Sequence, residues 1–203
     1  MSNVPKVFSY KLVRDYGFAP NPFHGICTLG TCKPQIRRSA QVGDIIVGCG
    51  SVALNLEGRV IFAMRVSHKL SFQEYWDHEA FRIKRPNLRA SKSLAYGDNM
   101  YHRDGENWIQ EDSHHSFVGG QLNQANLVRD TYSDNVLIGK EFVYWGASAV
   151  EIPEHLRHFA GDDLYPHSRN YRNTFSEAFR AEVDAWFKAI PDRGFRGRPA
   201  SWR

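Results

Sequence analysis

The sequence predicts a mixed α+β fold: a single domain over residues 1–190, then a basic tail over 191–203. Three observations predict it. Short apolar or alternating runs at Val7–Val13, Ile45–Val47 and Arg59–Val66 have the length and period of strands. Two segments with capping-box spacing, Ser71-Phe-Gln-Glu74 and Thr174-Phe-Ser-Glu177, open helices. Between these elements lie two long loops, 15–38 and 96–116, that fit neither period and are dense in Gly, Pro, aromatic and titratable residues.

Taken in order, Val7–Val13 places Phe8, Tyr10 and Leu12 on one face, which predicts a half-buried strand. Gly43-Asp44 makes a turn into the apolar run Ile45–Val47, and the Gly58 turn leads into Arg59–Val66, so the two runs form a hairpin. The helix opened at Ser71 carries Tyr75 and Trp76 and stops at Pro86. Irregular polar chain follows to about Gly120. Short strands are predicted at Val136–Ile138, Glu141–Trp145 and Ala149–Ile152. The helix opened at Thr174 aligns Phe175, Phe179, Val183, Trp186 and Phe187 as a core-facing stripe that ends before Pro191. Beyond it the Arg/Gly/Pro composition lacks a core of its own, and a mobile tail is expected.

With 42% hydrophobic and 24% charged residues in 203, the chain can bury an ordinary core. No apolar run reaches bilayer length, so no membrane partner is expected. Met-Ser-Asn-Val-Pro-Lys at the N-terminus has no apolar signal core, and three cysteines cannot all pair; both point to a reducing cytoplasm. Net charge is +4, with basic clusters at Lys33/Arg37/Arg38, Arg82/Lys84/Arg85/Arg89/Lys92, Arg169/Arg172 and Arg193/Arg196/Arg198/Arg203. One such cluster is an ordinary solvated surface. Four of them beside 13% aromatics point to a nucleotide or nucleic-acid partner.

A base pocket needs aromatic walls, a close-approaching backbone and edge donors. Tyr16, Phe18 and Phe23 supply rings, either as walls or as buried plugs under a proline-stiffened loop. Asn21 and Ser51 are edge readers, Gly17 and Gly50 the points of close approach, and Lys33, Arg37 and Arg38 face phosphate. His102, Asp104, Glu111, Asp112, His114 and His115 form the richest titratable cluster, from which His102, Asp112 and His114 are assigned to acid–base work. Adjacent His114 and His115 point apart on regular structure and match no zinc spacing, so neither a metal nor another cofactor is expected. Cys27, Cys32 and Cys49 read as small buried hydrophobes.

The order of basic loop, Val-Gly-Asp turn, apolar strand, Gly-Ser and Gly turn over Ser39–Asp77 resembles the core of PUA-like β-barrels such as the ASCH, YTH and EVE domains. Tyr16-Gly-Phe-Ala-Pro-Asn-Pro-Phe, Thr31-Cys-Lys-Pro-Gln-Ile-Arg-Arg, Gly43-Asp-Ile-Ile-Val-Gly, Tyr96-Gly-Asp-Asn-Met-Tyr-His and Gln110-Glu-Asp-Ser-His-His-Ser together resemble the nucleotide modification associated domain two family over most of the chain. The resemblance implies a PUA-like barrel with flanking helices and long functional loops, 15–38 and 96–116 converging on one mouth. It also implies a bacterial or phage system that modifies DNA bases, or a defence system. The expected function is recognition of a modified nucleobase or nucleotide, with DNA carrying modified bases as the partner. An enzyme using His/Asp acid–base chemistry on a base or nucleotide is the alternative, and an adaptor docking an acidic protein through the tail is the second. Oligomeric state is left open.

Overall fold

The computed structural model describes residues 4–168 and 170–202; Arg169 and Arg203 of the basic clusters, and the first three residues, lie outside the described residues. In chain order the strands are β1 (Val7–Lys11), β2 (Cys27–Leu29), β3 (Ile45–Cys49), β4 (Arg59–Arg65), β5 (His68–Leu70) and β6 (Tyr101–Asp104). They continue as β7 (Asn107–Gln110), β8 (Val136–Gly139), β9 (Glu141–Tyr144), β10 (Val150–Glu151) and β11 (Gly194–Phe195). The helices are α1 (Pro34–Ser39), α2 (Phe72–Asp77), α3 (Lys92–Ala95), α4 (Gln124–Thr131) and α5 (Glu177–Ala189). The chain, read from sequence as one domain, divides into two compact units. The first comprises Met1–Tyr16, Ala40–Ser67 and Gly139–Arg203, the second Gly17–Ser39 and His68–Ile138.

The first unit is built on a sheet of order β1-β3-β4-β9-β11. β1 runs parallel to β3, and β3 and β4 form the expected antiparallel pair. Residues Val7 to Tyr10 are buried on both faces, where alternation had predicted one buried face. The reason is α5, whose Phe179, Val183 and Phe187 join Val7, Ile45 and Val143 in one core. That helix starts later than its sequence signal: Ser176, not Thr174, caps it by accepting from the Phe179 amide at 3.2 Å. β9 and β10 share the far edge of β4, pairing with Phe62–Arg65 and Arg59–Val60 in turn.

The α+β class holds. The PUA-like barrel does not appear as a closed sheet among the described residues, because this sheet runs open from β1 to β11. The basic tail, given no structure by its composition, is seated by its backbone. β11 pairs with β9, the Arg198 carbonyl accepts from the Ala147 amide at 2.7 Å, and the Ala200 amide donates to Asp15 at 2.9 Å. Composition counts apolar side chains and is blind to such main-chain pairing.

The second unit holds a small sheet of order β2-β8-β5 and the β6–β7 hairpin. The hairpin falls in chain expected to be irregular, and Gly105, at φ +60, makes its turn. α2 has the full capping box at Ser71: its hydroxyl accepts from the Glu74 amide, and the Glu74 carboxylate accepts from the Ser71 amide. The interior of this unit is polar at its centre. Asp98 accepts from Tyr75 Oη and Thr28 Oγ1, both at 2.8 Å, while Lys84 Nζ donates to Asn21 Oδ1 at 2.7 Å and to the Ile26 carbonyl at 2.6 Å. Burial pushes the Lys84 ammonium down to about 8 against the opposing charge of Asp98, and burial likewise pushes the Asp98 carboxyl up.

Candidate functional site

The segments of the two long loops that lie in the second unit come together. Phe18 packs edge-on against His114, with centroids at 5.4 Å, and tilted against His115 at 4.5 Å. Asn21 Nδ2 donates to the Tyr96 carbonyl at 2.9 Å, and the Gly30 amide donates to Asp98 at 3.1 Å.

The centre of this meeting is a chain of three side chains. His115 turns Nδ1 toward Asp130 Oδ2 at 2.9 Å and Nε2 toward Cys32 Sγ at 3.8 Å. Asp130 is on α4, three residues after Leu127, and both are buried. Its Oδ1 accepts from the Cys32 amide and its Oδ2 from Tyr101 Oη, each at 3.0 Å, so one carboxylate holds both the backbone of the cysteine and the imidazole. Burial alone would lower the His115 pKa. The hydrogen bonds and charges of Asp130 and Cys32 outweigh it and raise it to about 9. Burial likewise opposes the Asp130 charge, yet His115 and the nearby arginines hold the carboxyl below its ordinary range. Cys32 and Lys33 both occupy the left-handed region, at φ +54 and +41, immediately before α1. Non-glycine residues in that region cost on the order of 1–3 kcal/mol each and cluster at functional sites.

The same three residues bring a sulfur, a nitrogen and a carboxylate oxygen within 4.8 Å of one another, which raises the question of a metal. Metal ligands converge on one point. Here His115 serves the two partners from opposite sides of its ring, and both carboxylate oxygens already accept from protein donors. The arrangement is that of a relay, in which a thiol, an imidazole and a carboxylate are joined in series.

The residues named from sequence fall into several surroundings. His102 meets Glu111 Oε1 at 2.7 Å and stacks on Trp76 at 4.0 Å. Asp112 is exposed and accepts from Ser116 Oγ at 3.0 Å, and His114 is exposed beside the rings of Phe18 and Tyr96. Phe18 is a buried ring, as is Phe23. Asn21, 1% exposed, anchors the loop to Lys84 instead of facing outward. Arg37 is fully buried, which removes it from any phosphate: its guanidinium donates to the carbonyls of Cys32, Asp130, Ser133 and Asn135. Arg38 is exposed and donates to Tyr132 Oη at 3.1 Å; Lys33 is half-buried, and burial lowers its pKa. Gly17 is buried at φ +68.

Tyr16, Gly50 and Ser51 belong to the first unit. The Tyr16 carbonyl accepts from Trp202 Nε1 at 2.9 Å. A Cβ on Gly50 would lie 2.1 Å from the Leu56 carbonyl oxygen, so this close approach is to the chain's own backbone. Ser51 lines a cavity of about 380 Å³ with Lys11, Val13 and Tyr165, and its buried hydroxyl has no hydrogen-bond partner among the described residues.

The acid–base roles assigned from sequence fall on neighbours of this trio, with His115 and Cys32 named there in other settings. From sequence Cys32 reads as a plain hydrophobe, the acid–base assignment falls on His114 and not on His115, and Asp130 stands outside every motif named. A usable signal was present: Asp130 stands on the same side of a helix as Leu127, and a carboxylate at a core-facing position needs partners.

A second feature of this unit is an open groove of about 580 Å³, lined by Arg82, Arg85 and Arg89 with Pro86, Leu94 and Asp112. Arg85 lies 3.6 Å over the Trp76 ring and donates to the Trp76 carbonyl. Asp112 begins the 112–116 loop that carries His115, so one short segment serves both the groove wall and the relay. No helix among the described residues is long and apolar enough to cross a membrane. No curated protein and no solved structure matches the chain. Residues 4–203 match the model of the family described as nucleotide modification associated domain 2, and the chain belongs to that family.

Proposed function

From this membership in a nucleotide modification associated family, we propose that the chain binds a nucleotide or nucleobase of a nucleic acid undergoing modification, and that the second unit carries the binding site. The observation that carries the reading is the arginine-lined groove. Its volume of about 580 Å³ is within the range of small-molecule sites, roughly 300–1,000 Å³. Guanidinium groups match phosphate geometry, while Pro86, Leu88 and Leu94 supply apolar surface for a base or sugar. Of the basic run picked out in the sequence, Lys84 is committed to the interior and the arginines line the groove.

The finer reading is recognition of a modified base in DNA, in a bacterial or phage modification system. Fluorescence polarisation of short oligonucleotides, with ordinary or modified bases, tests both levels. Binding that weakens about tenfold in Arg89→Ala and prefers the modified strand is expected. Equal binding of both strands removes the preference for modified bases, and no binding of either removes the nucleotide reading.

A further inference from the structure

We infer that Cys32, His115 and Asp130 act as nucleophile, proton carrier and orienting group, so that this chain forms a transient covalent bond between Cys32 Sγ and an electrophilic carbon of its bound nucleotide. Only the substrate class rests on the nucleotide-binding reading; the relay itself rests on geometry. Nε2 of His115 faces the thiol at 3.8 Å while Nδ1 is held by a buried carboxylate at 2.9 Å, which is the order of contacts that lets an imidazole move a proton to and from sulfur.

The imidazole is held from several sides. Its main-chain carbonyl accepts from Asn126 Nδ2 at 2.8 Å and Gln110 Nε2 at 3.3 Å, its amide donates to Ser113 Oγ at 3.3 Å, and its ring packs on Phe18. Asp130, 0% exposed, fixes the Cys32 amide as well, so ring and nucleophile share one anchor. Cys32 is also the only half-buried thiol of the three. Cys27 and Cys49 are fully buried, and burial pushes both up to about 12. Asp112, which lines the groove, stands three residues before His115 on one loop.

The step balances without an oxidant or reductant. With the thiol proton held on His115, Sγ bonds to a carbon doubly bonded to oxygen or nitrogen. The π pair moves onto that heteroatom and receives the proton from Nε2. The adduct then expels the thiol, reversing the step, or re-forms the double bond while His115 carries the heteroatom's proton to the departing leaving group. In the second case water, deprotonated by His115, hydrolyses the resulting thioester, or the thioimidate where the heteroatom is nitrogen, and returns the thiol.

Iodoacetamide, applied without nucleotide and read by peptide mass spectrometry, tests the relay on its own. Labelling is expected at Cys32 and not at Cys27 or Cys49. At pH 6.5 the rate should exceed that of His115→Ala by about tenfold or more, with the difference closing as pH rises through about 9, where His115 loses its proton. A melting curve checks that the variant folds. Should it not fold, the wild-type rate at pH 6.5 is compared with that of glutathione, a faster Cys32 supporting the relay. A Cys32 no faster than either reference overturns it, as does a zinc ion, seen by native mass spectrometry, that must be chelated before labelling. Selective labelling in a protein that binds no oligonucleotide leaves the relay standing and removes only the nucleotide as substrate; nucleotide binding with an inert Cys32 does the reverse.

Discussion

Buried polar groups in the second unit make sense only in pairs, and two of them give opposite lessons. Arg37 looks in the sequence like a surface cation next to Arg38, yet it is fully buried and donates to the carbonyls of Cys32, Asp130, Ser133 and Asn135. Burial pushes it down to about 10, with the nearby acidic groups resisting the fall. Replacing it leaves those carbonyls buried without donors. Arg37→Met should therefore cost about 3 kcal/mol in denaturant unfolding, and Arg38→Met almost nothing; equal effects would mean that Arg37 is a surface residue after all. His115 tests the relay through stability. Its folded pKa of about 9 lies above the ordinary 6.5, so its contribution is complete below about pH 6.5 and is lost as pH rises through about 9. Wild type should lose on the order of 3 kcal/mol more than His115→Gln across that window. Parallel stability curves would remove the Asp130–His115 pair as the cause.

At the level of elements, the chain places its signals where local contacts decide. The Ser71-Phe-Gln-Glu74 spacing produces α2 with both reciprocal hydrogen bonds, so Ser71→Ala should destabilise by about 1 kcal/mol, and Glu74→Ala by a similar amount or less, in thermal melts. If neither change moves the melting temperature, α2 is held by tertiary packing of Phe72 and Tyr75 alone. The β6–β7 hairpin shows the converse. His102, Arg103 and Asp104 pair with Ile109, Trp108 and Asn107, a polar strand facing an alternating one. Within it Arg103 lies 3.9 Å over the ring of its cross-strand partner Trp108, and contacts from outside add to this: Trp76 stacks on His102, and Phe72 meets Trp108 edge-on at 5.7 Å.

Across the whole molecule the charge of +4 is spread thinly, and part of it is spent inside. Lys84 and Arg37 are buried, and Arg65 reaches Asp184 at 2.6 Å. Arg82, Arg85 and Arg89 line the groove and are the cations set against a polyanion in this reading. Three arginines, each releasing about 0.7 counterion from a single strand, predict a log–log salt slope of about −2 for oligonucleotide affinity. A slope near zero would show that the groove does not meet phosphate, and one near −6 that many more cations take part.

Local chemistry alone determined the α+β class, the β3–β4 hairpin, the Ser71 cap and the apolar stripe of α5, since each depends on neighbours within a few residues or on a simple period. The family, too, was legible in short motifs spread over most of the chain. Tertiary structure decided the rest. Whether Arg37 faces solvent or carbonyls depends on Ser133 and Asn135, nearly a hundred residues away. Cys32, His115 and Asp130 are separated by 83 and 15 residues, and what selects His115 over its neighbour is which ring faces the buried carboxylate of α4. Sequence supplies the titratable groups, but only packing removes the water between them and sets the distances at which they act on one another, because such interactions depend on separation and burial and not on order along the chain.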